Sequence, residues 1–235
     1  MTKKPLTASS ILKRYASASA KAAKQAADAL RVELRSEDLS NIVRARVLDG
    51  APHVFTSEPT KYQTLQQHLA TELSVATDAI RVVGSARTGF SMSPDSFGRQ
   101  FLPNSDIDVV VVSDTLFDAT WRLLLDWRYP WHLRKWSKVD HDWGIRILEE
   151  LVCGWCNPKY IEPPTLTSRA QVTPLRDFSW RWVNAFQSAG GLHPELSTHN
   201  LEGRLYRTWD HAIKYHVSGF KLILDQERRG AERTT

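Results

Sequence analysis

The sequence has few of the features that mark a disulfide-stabilised, fibrous or membrane-embedded protein. It contains only two cysteines, Cys153 and Cys156, which cannot form a disulfide framework and have no second Cys-x-x-Cys or paired histidines to complete a zinc site. The 11 glycines and 11 prolines follow no repeat, which excludes a collagen-like chain. The longest apolar run is the four valines 109–112, far short of the roughly 18 residues that cross a bilayer. We therefore expect a globular cytoplasmic protein that does not enter a membrane.

Positive charge is concentrated in the amino-terminal segment. Residues 1–35 contain eight Lys or Arg and two acidic residues, a formal net charge of +6. Since the whole chain has a net charge of +5, the remaining 200 residues have a net charge of −1. Basicity is therefore not a property of the body of the protein. We interpret residues 1–50 as a basic helical N-terminal extension, available to contact a partner protein.

Hydrophobic periodicity predicts a chain of mixed α and β structure. The short β-branched runs 79–83 and 106–112 are typical of buried strands, whereas apolar residues elsewhere recur every three or four positions, as in helices. The predicted helices cover 8–35, a segment from Ser36 or Ser40 to Gly50, 59–73, 114–125, 142–152, 179–187, and a final helix from Ser197 or Thr198 to Gly230. The final helix would present one polar face: Arg204, Arg207, His211, Lys214 and Lys221.

The chemistry-bearing segment lies around the two predicted strands. The first strand ends in Gly84-Ser85, and the second begins with Asp106-Ile107-Asp108. Residues at i and i+2 of a strand point to the same side, so Asp106 and Asp108 present two carboxylates together. A divalent cation relieves their repulsion, and hard oxygen ligands suit Mg²⁺ or Mn²⁺. Glycine in the turn permits close backbone approach, and a serine hydroxyl can meet a phosphate.

This order of motifs resembles the nucleotidyltransferase superfamily related to DNA polymerase beta. Within that resemblance, Gly84 and Ser85 match the phosphate-binding Gly-Ser, and Asp106 and Asp108 match the first two metal-binding acids. The match covers residues 80–114, about a seventh of the chain. It implies an α/β (α+β) fold with a nucleotidyltransferase-like short mixed sheet flanked by helices. The domain organisation would be a core over 51–190, the N-terminal extension, and a C-terminal helix over 191–235 packed on the core.

The resemblance implies transfer of a nucleotidyl group from a nucleoside triphosphate to a hydroxyl acceptor in RNA, protein or another nucleotide. Mg²⁺ or Mn²⁺ would be held by Asp106 and Asp108, and Arg87 lies near enough in sequence to bind a phosphate. Small members of the superfamily often belong to bacterial antiviral defence or toxin systems. This association is the only basis for expecting such a pathway here.

Two departures from the family pattern keep an alternative open. The connection between Ser85 and Asp106 is longer than in the smallest members, so 90–103 is predicted to project as a loop beside the site. Active members bring a third acid from a later strand, and no such strand is evident in this sequence. The candidates are Asp140, Asp142, Glu162 and Asp177. Without a third acid, the alternative is a catalytically degenerate nucleotide-binding or antitoxin-like regulatory subunit.

Overall fold

Short mixed β-structure flanked by helices forms the centre of the protein. The computed structural model describes residues 8–129, 137–165, 169–194 and 196–232. Its helices, in chain order, are α1 (Ala8–Ser36), α2 (Leu39–Ile42, continued by a wider helical turn over Val43–Leu48), α3 (Pro59–Leu73), α4 (Gly84–Thr88), α5 (Asp114–Arg128), α6 (Lys138–Val152), α7 (Arg169–Gly190) and α8 (Trp209–Glu232). Its strands are β1 (Ile80–Val83), β2 (Ile107–Val112), β3 (Trp155–Cys156) and β4 (Leu201–Tyr206). The α+β class and the mixed sheet predicted from the sequence are confirmed.

The sheet has the order β1-β2-β4-β3 and contains both kinds of pairing. Strand β2 pairs antiparallel with β1 and parallel with β4, and β3 pairs antiparallel with β4. Since β2 and β4 are parallel neighbours, both begin at the same edge of the sheet. The antiparallel β1 ends at that edge, and it therefore delivers the turn at Gly84 beside the start of β2.

Each face of the sheet packs on its own apolar core. The larger core lies between one face and helices α3, α5, α6 and α7, and it contains Ile107, Val109 and Leu205 from the central strands. The second core lies against the other face, between helices α1, α2 and α8, and it includes Val110 and Tyr206. Alternate residues of the central strands thus enter different cores, as the pleat of a strand requires.

Serine caps account for the starts of α5 and α6. Ser113 caps α5 by accepting a hydrogen bond from the Leu116 amide at 3.1 Å, and Ser137 caps α6 through the Asp140 amide at 3.1 Å. Helix α7 differs from the prediction, because it begins at Arg169 and includes Pro174. Pro174 is the sixth residue of α7, beyond the four amides that have no helical acceptor, so it removes one hydrogen bond from the first part of the helix.

The predicted final helix is wrong in its first half. Residues 201–206 form β4, and α8 begins only at Trp209. Leu201, Gly203 and Leu205 are buried at alternate positions, which is the period of a strand. Arg204 is therefore not on a helical face with Lys214. The interior glycine weakened this signal, because it adds no apolar side chain to the alternation.

Helix α1 packs on the body of the protein through its second half. Of its alanines, Ala22 and Ala26 are exposed, whereas their neighbours Ala23 and Ala27 are buried. Leu30 and Leu34 complete the buried stripe. Arg31 and Arg35 also form ion pairs with Glu227 of α8 at 2.9 and 2.8 Å.

Within the described residues, no helix is both long and apolar enough to span a membrane.

Candidate active site

The predicted carboxylate pair lies at the floor of a cleft. Asp106 precedes β2 and Asp108 is its second residue, and both line a cleft of about 1020 Å³. Solvent reaches Asp108 from the cleft, but protein surrounds it on the other sides. This desolvation raises the pKa of Asp108, and the nearby charges of Asp106 and Glu202 raise it further, while Arg204 lowers it. Desolvation beside other carboxylates is one of the arrangements that perturb the pKa of an acid at a functional site.

The Gly-Ser turn is in direct contact with this pair. Val83 is the register partner of Asp108, so Gly84 follows directly beside the carboxylate. Gly84 has a φ of +65°, in the left-handed region, and a Cβ at this position would lie 2.7 Å from Oδ2 of Asp108. Glycine is therefore required both by the backbone and by the approach of the acid. Ser85 lines the same cleft.

A third acid, Glu202, reaches this edge from β4. The parallel register pairs Asp108 with Glu202, and both residues line the cleft. The Glu202 carboxylate accepts hydrogen bonds from Nζ of Lys159 at 2.7 Å and from Nδ2 of Asn200 at 3.0 Å. The Lys159 hydrogen bond is the main cause that lowers the pKa of Glu202. Sequence reasoning missed Glu202 because it assigned 201–206 to a helix, and the alternation of Leu201, Gly203 and Leu205 was the available signal.

The four acids proposed from the sequence as third carboxylates lie elsewhere. Asp140 is buried at the start of α6, where it accepts hydrogen bonds from the hydroxyl of Ser137 at 2.8 Å and from the Thr165 amide at 3.0 Å. Glu162 is paired with Arg176 at 2.7 Å. Asp142 and Asp177 are exposed on α6 and α7. None of the four lines the cleft in the part of the chain that the structure describes.

Arg87 is also not brought to the cleft. Its guanidinium donates to the carbonyl oxygen of Ala51 at 2.6 Å and to that of Asp49. These carbonyls follow the helical turn at 43–48, so Arg87 fastens that segment to α4. The residue lies only two positions beyond Ser85, but the short helix turns its side chain toward a different part of the chain.

The walls of the cleft come from a loop and from the C-terminal helix. The loop over 91–104 lines one side, as predicted for the long connection, and α8 lines the other. Arg204 of β4 also lines the cleft, with its guanidinium 4.9 Å from the ring centre of Tyr215 and 5.6 Å from that of Trp155. Burial lowers the pKa of Arg204, but the neighbouring oxygens of Tyr215, Tyr206 and Asp108 raise it by more.

Comparisons with protein-family models, with curated proteins and with solved structures found no match to this chain. Within the described ranges, no group of three or more His, Cys, Asp or Glu side chains is arranged to hold a metal ion. The Glu202 carboxylate is held by Lys159 and Asn200. The site therefore offers two cleft carboxylates and a third acid in register with them.

Proposed function

We propose that the protein is a metal-dependent nucleotidyltransferase. The observation that carries the proposal is the contact between the Gly84 turn and Asp108 at the floor of a cleft that is large enough for a nucleotide. The turn and the Asp-x-Asp strand are 20 residues apart in sequence, so their meeting at one edge depends on the strand pairing. The proposal includes a cytoplasmic location, because the proposed donors of the nucleotidyl group are nucleoside triphosphates.

The donor set fits Mg²⁺ or Mn²⁺. Asp106 and Asp108 supply hard carboxylate oxygens, and the raised pKa of Asp108 indicates unrelieved repulsion and desolvation that a cation would offset. When bound, such a cation stabilises the charge that develops on a transferring phosphoryl group and its leaving group. Ser85, at the glycine turn, would meet the phosphates.

The proposed reaction assigns a role to Glu202. The acceptor oxygen forms a bond to the α-phosphorus, the α–β phosphoanhydride bond breaks, and pyrophosphate leaves with the bonding electron pair. The acceptor proton then needs a base, and Glu202 is the carboxylate nearest in register to Asp108. For this role its carboxylate has to exchange Lys159 for the reacting centre.

A second candidate is a nucleotide-binding subunit without catalysis. The observation that favours it is the engagement of Glu202 by Lys159 and Asn200, which holds the carboxylate of the third acid in other hydrogen bonds. Under this reading the nucleotide binds but no group is transferred.

Binding is tested by isothermal titration of ATP and GTP with Mg²⁺. We expect the Asp106→Asn/Asp108→Asn double variant to lose magnesium-dependent binding, because it lacks the cation ligands. The matched control is Asp142→Asn/Asp177→Asn, which makes the same change of charge at exposed positions away from the cleft. Equal binding by wild type and the Asp106/Asp108 variant would contradict the proposal.

Catalysis is tested with nucleotides labelled at the α-phosphate, incubated with the protein alone, with total RNA and with total protein. Transfer by the wild type and its loss in Glu202→Gln, with nucleotide affinity kept within about threefold, would support a role confined to the transition state. Binding without transfer of any of the four nucleotides, in Mg²⁺ or Mn²⁺, would favour the regulatory subunit.

A further inference from the structure

Arg204 carries a charge in the cleft that no carboxylate neutralises by direct pairing within the described part of the chain. Its guanidinium donates to the hydroxyl of Tyr215, and its other hydrogen-bond partner is Tyr206, so both partners are neutral. Two neighbouring basic side chains, in contrast, form ion pairs: Lys214 is paired with Asp210 at 2.7 Å, and Arg207 with Asp118 at 3.2 Å. A half-buried arginine with only neutral partners retains its capacity to bind an anion.

Aromatic rings hold this guanidinium in place. It lies over the rings of Tyr215 and Trp155, which pack edge to face with centres 5.1 Å apart. Tyr206 packs against Tyr215 at 5.7 Å and closes the back of the cluster. Because the side chain is already ordered, little rotamer freedom remains to be lost when a ligand binds.

The position of Arg204 relates it directly to the carboxylates. It is two residues beyond Glu202 on β4, and therefore on the same face of the sheet, roughly 7 Å further along the strand. Its register partner is Val110, two residues beyond Asp108. A ligand whose metal-bound end lies at the carboxylates thus extends toward Arg204 along the cleft.

We propose that Arg204 is the polyphosphate-binding residue of this cleft, the role that the sequence had suggested for Arg87. The planar guanidinium can donate two parallel hydrogen bonds to phosphate oxygens, whereas both terminal nitrogens of Arg87 already donate to backbone carbonyls. This inference rests on the proposed function for the identity of the ligand. The competing explanation is that Arg204 only offsets the charge of Asp108.

The test uses inorganic tripolyphosphate, titrated calorimetrically in EDTA so that no divalent cation takes part. The wild type is expected to bind, and Arg204→Gln to bind about tenfold or more weakly, since a charge-assisted bidentate contact is lost. Arg207→Gln is the matched control, because it removes the same charge three residues away at an exposed position outside the cleft. Absence of wild-type binding, or equal loss in both variants, would overturn the proposal.

A double variant with unchanged net charge distinguishes direct contact between Arg204 and the phosphates from an effect of the total charge in the cleft. Asp108→Asn alone should tighten tripolyphosphate binding, because it removes a negative charge from the cleft. If Arg204 acts only by offsetting Asp108, the Asp108→Asn/Arg204→Gln double variant will regain wild-type affinity. Direct contact predicts that the double variant stays weakened, and a full recovery would overturn it.

Arg204→Lys covers the case in which Arg204→Gln does not fold, as judged by circular dichroism. Lysine keeps the charge but cannot form the two-pronged contact, so binding about threefold or more weaker is expected. Unchanged affinity would overturn the proposal. The outcomes are separable from those of the proposed function: tripolyphosphate binding that depends on Arg204, without any nucleotidyl transfer, refutes only the enzyme activity. Transfer that is insensitive to Arg204 refutes only this inference.

Discussion

The second face of the sheet has a covered end and an open end. Val110 and Tyr206 are nearly inaccessible beneath α1, α2 and α8. Asp108 and Glu202, which pair in register near the starts of β2 and β4, form the open end at the cleft, and Arg204, the register partner of Val110, lies at the boundary between the two ends. The opposite face stays apolar along the same strands. The larger core therefore stabilises the strands throughout their length, which allows one end of the other face to carry charges.

The largest expected difference in the free energy of unfolding is between substitutions on the two faces of the central strands. Leu205 is fully buried in the larger core, and Leu205→Ala should lower the free energy of unfolding by about 2–5 kcal/mol. Asp108→Asn should instead raise it at neutral pH. The pKa of Asp108 is raised in the folded state, so its ionised form is disfavoured there, and stability falls as the pH rises above the ordinary value of 3.8.

Urea denaturation at pH 7 measures both changes. Leu222→Ala is the control for a lost leucine side chain, because that residue is 55% exposed on α8. Its effect should be within about 0.5 kcal/mol. If Asp108→Asn instead lowers the free energy of unfolding strongly, Asp108 stabilises the fold, and the contrast between the two faces of the strands does not hold.

The next largest effect on the free energy of unfolding is expected at Gly84, beside the open end. Gly84→Ala has to adopt a positive φ and places its Cβ against Asp108, so it should cost about 2 kcal/mol or more. Gly219→Ala is the control: it lies in α8 with no atom within 4 Å of the added Cβ, and it should stabilise by about 0.5–1 kcal/mol.

Thermal and urea denaturation of the two alanine variants would decide this point. If Gly84→Ala is as stable as the wild type, the turn is not pressed against the carboxylate, and the observation that carries the proposed function is lost.

The smallest effect concerns His216, at the boundary between the two ends. It lines the cleft, yet its Nε2 atom is buried and has no hydrogen-bond partner among the described residues. Burial, and then the charge of Arg204, lower the pKa of His216 from 6.5 to about 4. The unfolded chain thus binds more protons between these values, and stability should fall as the pH decreases from 6.5 toward 4.

Unfolding in urea at pH 6.5 and 5.5 measures this contribution. The wild type should lose about 1 kcal/mol more than His216→Gln over this interval. Identical losses in the two proteins would mean that His216 is hydrated in the folded state and belongs to the open end.

The parts of the fold that were predictable are those with a local cause. The β-branched runs at 80–83 and 107–112 favour strands whatever surrounds them, and serine caps mark the starts of α5 and α6. The final helix was misassigned where Gly203 interrupts the alternation of β4. That glycine packs beneath the ring of Phe186, a contact between distant segments that no local pattern encodes.

The sequence by itself determined two elements of the candidate site, the Gly84-Ser85 turn and the Asp106/Asp108 pair. Both depend on spacing within one strand or turn, where covalent geometry places the side chains. Only the tertiary structure decided the rest. Glu202 and Arg204 reach the cleft because β4 pairs in parallel with β2, and Arg87 leaves it because carbonyls near 50 take its hydrogen bonds. Such pairings depend on packing between segments far apart in the chain, which residue spacing alone does not specify.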